Sequence, residues 1–251
     1  MAKISPLTEI REKCAVHFLH VGKTGGMAVK HALNPFLITS CLQIVLHKHG
    51  FRLKGVPTGE KAVFFLRDPV ARFVSGFYSR QRQGRPKMFI PWTPRERIAF
   101  SRFATPNQLA LTLSAPDEQE RTKARKAMRH IMHVNMHYRF WFGQAPYFLS
   151  RLPDVLFVGF QESLADDFSR LRKIFGLPDE ARLPDNEVDA HKNPAHLDRA
   201  LESQAVQNLK AWYREDYEFI ELCRTHVPRE RLGGAGLDPA RYGLTAAATS
   251  S

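Results

Sequence analysis

The chain has 251 residues, 43% of them hydrophobic, and a formal net charge of +12 from 37 Lys and Arg against 25 Asp and Glu. This length and apolar content predict one globular domain and exclude a disordered chain. The positive charge predicts an anionic partner, for which a phosphorylated nucleotide, an acidic acceptor or nucleic acid would serve.

The three cysteines, Cys14, Cys41 and Cys223, are scattered without metal or redox spacing, which is typical of a reducing compartment. The first 14 residues carry charges throughout and lack the apolar segment of a signal peptide. No apolar run reaches the length that spans a membrane. From these features we expect a cytoplasmic protein.

The first predicted strand begins near Ala15, and a helix is predicted from about Met27 to Leu37. The turn between them is rich in glycine and consists of Gly22, Lys23, Thr24, Gly25, Gly26 and Met27. Such a turn brings backbone N–H groups and the positive end of the helix dipole to an anion, and Lys23 adds a mobile charge. We therefore predict a phosphate-binding loop here.

This turn differs from the common nucleoside-triphosphate loop. The pattern Gly-x-x-x-x-Gly-Lys-[Ser/Thr] would need glycine at position 17, where the chain has His17. A P-loop kinase or NTPase nevertheless stays open as an alternative. It would need Mg²⁺ and an acidic ligand, for which Asp68 is the obvious candidate, although a helix cap explains Asp68 better.

A second predicted strand, from Cys41 to Leu46, ends just before His47 and His49. In a parallel sheet the carboxyl ends of the strands line the ligand crevice. The two histidines are either ordinary solvated loop residues or, because a neutral imidazole accepts protons near physiological pH, candidates for a general base.

A third predicted strand, from Val63, runs into Arg67, Asp68 and Pro69. Asp68 suits the N-cap of a following helix and Pro69 its first position. Arg67 is left at the carboxyl end of the strand, and Ser75 lies two turns along the helix, off its apolar stripe. Arg67 and Ser75 are therefore placed to bind a second phosphate beside the first loop.

The ordered pair of motifs, Gly-Lys-Thr-Gly-Gly and then Arg-Asp-Pro-x-x-Arg-x-x-Ser, resembles the sulfotransferases that use 3′-phosphoadenosine 5′-phosphosulfate. The resemblance is nearest to the carbohydrate-modifying, Golgi-type branch with the uronyl 2-O-sulfotransferases. It implies a P-loop-like α/β fold, a single domain with a mainly parallel central sheet flanked by helices. We assign this domain to residues 1–243 and expect 244–251, which are small and polar, to be a disordered tail.

The resemblance also implies roles for individual residues. The first loop would bind the 5′-phosphosulfate, and Arg67 and Ser75 the 3′-phosphate. The family usually has Ser or Thr at position 27, so Met27 removes a hydroxyl and leaves Thr24 and backbone amides for that contact. No metal is expected, because Lys23 would meet the charge of the leaving group.

The same resemblance places a histidine as general base, with His49 favoured, His47 second and His137 third. The acceptor would bear a hydroxyl on a glycan or glycoside, and no nucleic-acid partner is expected. A non-enzymatic polyanion-binding module, suggested by charge alone, stays open as a further alternative. Two residues of a later loop, Lys192 and Asn193, are weaker candidates for phosphate contacts.

The segment after the second helix contains a basic run, which is either solvated surface or a site that recruits an anionic acceptor. Trp92 follows as a candidate stacking platform for a sugar. The residues of the basic run are Arg80, Arg82, Arg85 and Lys87. Further along, Ser163 and Asp166 resemble a capping pair, and one long helix is predicted from about Leu197 to Val227.

Overall fold

The computed structural model describes residues 14–86, 88–185 and 197–234. In these residues four strands form one parallel sheet in the order β2-β1-β3-β4. The strands are β1 (Cys14–Leu19), β2 (Leu42–Leu46), β3 (Lys61–Leu66) and β4 (Val155–Phe160). The predicted single α/β domain with a mainly parallel sheet is confirmed.

Helices cover both faces of the sheet and build an additional helical layer beside it. In the described residues they are α1 (Gly26–Leu33), α2 (Pro69–Gln81), α3 (Pro94–Arg102), α4 (Pro106–Thr112), α5 (Glu118–His130), α6 (Arg139–Phe142), α7 (Ala145–Ser150), α8 (Leu164–Ile174), α9 (Ser203–Trp212) and α10 (Arg214–His226). None of these helices is long and apolar enough to cross a membrane.

Strand alternation divides the core into two halves. Phe18 and Phe65 point to the face covered by α1 and α8, whereas Leu19 and Phe64 point to the face covered by α6, α7 and α10. Both faces are apolar, as expected for strands of a parallel sheet that is buried on two sides. The carboxyl ends of β1, β2 and β3 then lead directly into the loops that sequence analysis selected.

Three local predictions need correction. The predicted long helix is two helices, because Tyr213 leaves the helical conformation (φ −99°, ψ 23°) with its side chain buried and its hydroxyl donating to the Val134 carbonyl at 2.7 Å. Ser163 does not cap α8; its hydroxyl donates to Asp167 at 2.9 Å instead. The first helix ends at Leu33 and not at Leu37 as predicted. Pro35 interrupts the helix, and a 3₁₀ turn (Asn34–Phe36) follows.

Candidate functional site

A cavity of about 910 Å³ opens at the carboxyl ends of the strands. Both phosphate motifs line it. The first contributes Lys23, Gly25, Gly26 and Met27, and the second contributes Arg67 and Ser75. The structure therefore brings together residues about 50 positions apart in the chain, as the topology of a parallel sheet predicts.

The first loop has the backbone of a tight anion-binding turn. Gly25 adopts a left-handed conformation (φ 83°) and precedes α1, and within the described residues this helix has no side-chain cap from its N-cap position. Gly26 is required by packing, since a Cβ there would lie 2.4 Å from Cδ2 of His20. Lys23 itself is left-handed, with φ 68°.

Lys23 is electrostatically set apart from an ordinary lysine. Burial, together with the nearby positive charges of Arg67 and Arg82, lowers the pKa of its ammonium group to about 8. A desolvated ammonium group beside the N-terminus of a helix favours the binding of an anion.

Thr24 and Gly22 do not line the cavity. Thr24 is buried, and its hydroxyl donates to the Val21 carbonyl at 3.0 Å. Its side chain therefore closes the loop on itself instead of replacing the hydroxyl that Met27 lacks. In this geometry the backbone amides are left for a phosphate contact.

Arg67 connects the two motifs. Its Nη1 donates to the Lys23 carbonyl at 3.3 Å, and its Nε is buried without a partner in the described part of the chain. Ser75 lies nearby on α2, with 8% of its surface exposed. A buried guanidinium that lacks one partner, next to a cavity, has the donor set that binds a phosphate.

Neighbouring side chains hold Arg67 and the start of α2 in place. The Tyr138 hydroxyl accepts from the Arg67 N–H at 2.9 Å and donates to the Arg67 carbonyl at 2.5 Å. Glu162 accepts from the Asp68 N–H at 2.8 Å. Asp68 itself caps α2 through a bond from the Ala71 N–H at 2.7 Å.

The second arginine of this motif, Arg72, does not line the cavity and has a structural role. It is fully buried and donates to Asp216 at 2.8 Å and to the Met136 carbonyl at 2.5 Å. Asp216 also accepts from the Tyr138 N–H at 2.8 Å. Arg72 thus fixes the segment whose tyrosine holds Arg67.

Of the three histidines selected from the sequence, only His49 lines the cavity. The indole N–H of Trp141 donates to the His49 carbonyl at 2.7 Å and so fixes the backbone that carries it. Its ring lies 3.7 Å from that of His20 and 5.8 Å from that of His133, centroid to centroid.

His47 turns away from the cavity. Its ring stacks on Phe51 with centroids 3.5 Å apart, and its Nε2 pairs with Nδ1 of His17 at 2.7 Å. The other nitrogen of His17 is bonded to Glu60. Burial and the charges of His17 and Lys30 lower the pKa of His47 to about 4.

The structure does not bring His137 to the cavity either. Its Nδ1 lies 3.4 Å from Asp216 Oδ1, and the residue lines a separate surface pocket of about 400 Å³ together with Arg139 and Trp212. Lys192 and Asn193 lie outside the described residues.

Three titratable residues of the cavity were missed by sequence reasoning, namely His20, His133 and Arg199. His20 directly follows β1, so its position at a strand end was a usable signal. His133 follows α5, and Arg199 precedes α9. Neither of these two carries a local pattern that separates it from ordinary surface residues.

The basic run after α2 is largely engaged in local structure. Arg80 is buried and forms a two-bond ion pair with Glu96, at 2.7 and 2.8 Å. Trp92 donates to the Arg80 carbonyl at 2.7 Å and stacks on Phe100, so its indole is not an open platform. Arg85 lies over the Phe89 ring at 4.7 Å.

This segment lines the cavity with Arg80, which is paired with Glu96, and with apolar side chains. Met88 and Ile90 line it, and Phe89 beside them is 55% exposed. Lys87 lies outside the described residues. Within those residues no cluster of three or more His, Cys, Asp or Glu is arranged to hold a metal ion.

Comparison with protein families matches residues 10–221 to a profile described as the sulfotransferase family. No curated protein and no solved structure gives a significant match. The family match covers both phosphate motifs, all four strands and every residue of the cavity. The chain belongs to the sulfotransferase family.

Proposed function

We propose that the protein transfers a sulfuryl group from 3′-phosphoadenosine 5′-phosphosulfate to the hydroxyl of an acceptor. The observation that carries this proposal is the joining of the two motifs in one cavity, where Arg67 donates to the Lys23 carbonyl. Family membership supports sulfuryl transfer in general, and the two-ended cationic site supports this donor in particular.

The residues present fit a nucleotide with phosphate groups at both ends. Lys23 and the N–H groups at the start of α1 would bind the 5′-phosphosulfate end, and Arg67 and Ser75 would bind the 3′-phosphate. The buried Nε of Arg67, which has no partner in the described residues, would gain one from such a phosphate. When bound, this donor supplies a sulfuryl group on a good leaving group.

The proposed step is an in-line displacement. His49 takes the proton of the acceptor hydroxyl while the acceptor oxygen forms a bond to sulfur. Lys23 stabilises the 5′-phosphate oxygen that keeps the electron pair of the broken S–O bond, and the products are a sulfate ester and 3′,5′-adenosine bisphosphate. Positioning and charge stabilisation carry the rate, as in phosphoryl transfer.

His49 is the preferred base because it alone of the three selected histidines faces the cavity. His47 is bonded to His17, and its lowered pKa makes it a weak proton acceptor. His137 lies beside Asp216 in another pocket.

For the acceptor, we propose a glycoside hydroxyl, because the two motifs resemble those of the carbohydrate-modifying branch of the family. Arg80 is already paired with Glu96, and Arg85 lies over Phe89. Met88 and Ile90 add apolar surface to the cavity. We therefore expect a neutral or apolar-substituted glycoside and not a polyanionic chain. Paired substrates that share one sugar, with and without an alkyl or aryl aglycone, would test this. A glycosaminoglycan that outcompeted both would contradict it.

The direct test of the proposed function is transfer of ³⁵S from the labelled donor to a panel of glycosides, with release of adenosine bisphosphate measured in parallel. Stoichiometric formation of both products supports the proposal. Absence of transfer together with metal-dependent ATP hydrolysis would favour a P-loop NTPase instead.

That alternative has a specific difficulty. Both carboxylate oxygens of Asp68, its acidic candidate, are engaged. One accepts from the Ala71 N–H at 2.7 Å, and the other accepts from the Tyr217 hydroxyl at 2.7 Å. A carboxylate held in this way is a helix cap and not an open metal ligand.

A further inference from the structure

His133 occupies a gap between the two phosphate motifs. A Cβ added at Gly22, which opens the first motif, would lie 3.2 Å from His133 Nδ1. A Cβ added at Gly76, which follows Ser75 of the second motif, would lie 3.2 Å from His133 Cβ. The lack of a side chain at Gly22 therefore leaves space for the imidazole, and the lack of one at Gly76 leaves space for the Cβ and backbone of His133.

The backbone of His133 is held in an unfavourable conformation. Its φ is +70°, in the left-handed region that residues with a Cβ rarely adopt. The turn is fixed by bonds from the N–H groups of Val134 and Asn135 to the Ile131 carbonyl at 3.1 and 3.0 Å. Such strain persists where the surrounding structure imposes it, and it is concentrated at functional sites.

The two ring nitrogens have different surroundings. Nδ1 is buried against Gly22 without a hydrogen-bond partner in the described residues. A hydrogen on Nδ1 would be a buried donor with no acceptor, which is costly, so the neutral ring keeps its hydrogen on Nε2. Nε2, in contrast to Nδ1, is not left buried without a hydrogen-bond partner, and His133 lines the cavity.

The charge of the ring is also fixed. Burial, followed by the positive charges of Lys23 and of the neighbouring His49, Arg80 and Arg72, lowers the pKa of His133 to about 3. The imidazole is therefore neutral at physiological pH. Any proton that it gained would have to sit on the buried Nδ1, so this histidine is unsuited to act as a base.

We propose that His133 is a catalytic hydrogen-bond donor whose Nε2–H contacts the oxygens of the sulfuryl group during transfer. This inference rests on the proposed function. The ring lies beside Gly22 at the start of the loop and within electrostatic reach of Lys23, at the end of the cavity assigned to the phosphosulfate. A neutral donor aimed at developing charge acts as an oxyanion hole does.

Three side chains would then act in the transfer step. Lys23 stabilises the leaving oxygen, His49 takes the acceptor proton, and His133 stabilises the sulfuryl oxygens between them. Because His133 neither gains nor loses a proton, its contribution is the same at every pH at which the enzyme works.

The test compares His133→Gln with His133→Met. The two side chains have similar length, but only glutamine can place an N–H near the position of Nε2. We expect His133→Met to lower kcat by roughly 100-fold, the effect of losing one oxyanion-hole donor, and His133→Gln to recover most of it. Affinity for 3′,5′-adenosine bisphosphate, which lacks the sulfuryl group, should stay close to wild type in both variants. The factor lost by His133→Met should be constant across the pH profile.

Equal losses in the two variants at unchanged Tm would assign His133 a packing role and overturn the proposal. A matching loss of bisphosphate affinity, or disappearance of one limb of the pH profile, would overturn it as well. If either variant fails to fold, ¹⁵N NMR of the wild-type imidazole decides, since an Nδ1–H tautomer or titration between pH 5 and 8 contradicts the donor role. Failure of the proposed function is recognised separately, because the wild-type protein would then bind no bisphosphate.

Discussion

Arg67 Nη1 donates a hydrogen bond to the carbonyl oxygen of Lys23 at 3.3 Å. This bond joins the two phosphate motifs, which follow different strands. The distance between the two motifs is therefore set by β1 and β3, which pair directly in the sheet. Under the proposed function, this rigid spacing would select a nucleotide with phosphates at both ends.

Lys23→Ala is expected to lower kcat by roughly 10²–10³-fold, because no other cation is assigned to the leaving oxygen. Binding of the bisphosphate should weaken but stay measurable, since the helix N–H groups and Arg67 remain. Steady-state kinetics and calorimetry separate the two effects, with Lys173→Ala, an exposed lysine on α8, as the control. Near-normal turnover in Lys23→Ala would remove the assigned role.

Arg67→Ala is expected to erase the preference for a 3′-phosphate. The variant should bind 3′,5′-adenosine bisphosphate and AMP with similar affinity, whereas the wild type should prefer the bisphosphate by roughly 10–100-fold, the value of one or two charge-assisted bonds. Competition calorimetry measures the ratio, and Arg102→Ala, exposed at the end of α3, is the control. Retained discrimination would reject the pairing of Arg67 with the 3′-phosphate.

His49→Ala is expected to reduce kcat by roughly 10²–10⁴-fold, the usual contribution of a general base, with little change in donor affinity. His137→Ala should leave turnover close to wild type, because that side chain lies in another pocket. His47→Ala should lower Tm more than turnover, because it breaks the bond to His17 and the stacking on Phe51. A loss of kcat confined to the His47 variant would transfer the role of base to His47.

The affinity for 3′,5′-adenosine bisphosphate should fall as the pH rises above about 8. The pKa of Lys23 in the free protein is about 8, and an anion binds the protonated form. Below that pH the ammonium group is already charged; above it a proton must be taken up, so the affinity should fall by up to about tenfold per pH unit.

Calorimetry from pH 7.5 to 9.5, in buffers of different ionisation enthalpy, measures both the affinity and the proton uptake. In Lys23→Met the affinity should be weak and independent of pH. A wild-type affinity that stayed constant to pH 9.5 would contradict the lowered pKa of Lys23.

Asp216→Ala is expected to destabilise the fold by about 3–5 kcal/mol, because it leaves the buried Arg72 without its partner. The double variant Arg72→Met/Asp216→Leu should recover a large part of this loss, because no unpaired charge remains. Urea unfolding gives both free energies. Equal losses in the single and double variants would mean that packing around Asp216, and not the ion pair, carries the stability.

Much of the fold could be predicted from the sequence because each β-α unit carries its own local signals. Asp68 and Pro69 mark the start of α2, and the continuous apolar runs before Gly22 and Arg67 indicate strands that are buried on both faces. The order of the two motifs along the chain then indicated a common crevice, which the structure has as a cavity.

The other features of the fold and the site depend on contacts between residues that are distant in the chain, and local sequence patterns do not show such contacts. Nothing near His133 in the sequence indicates that Gly22 makes room for its ring and Gly76 for its Cβ and backbone. The orientation of the His47 ring is set by its hydrogen bond to His17 and its stacking on Phe51. Arg80 is buried in an ion pair with Glu96. These interactions explain why one member of a His-x-His pair faces the cavity and the other does not.

Calorimetric binding of 3′,5′-adenosine bisphosphate, ATP and AMP, each with and without Mg²⁺, would show whether the cavity is a metal-independent site for a nucleotide with phosphates at both ends. We expect the bisphosphate to bind with micromolar or tighter affinity, on the order of −8 kcal/mol, unaffected by Mg²⁺ and more tightly than ATP or AMP. Preferred binding of ATP that depends on Mg²⁺ would contradict this expectation.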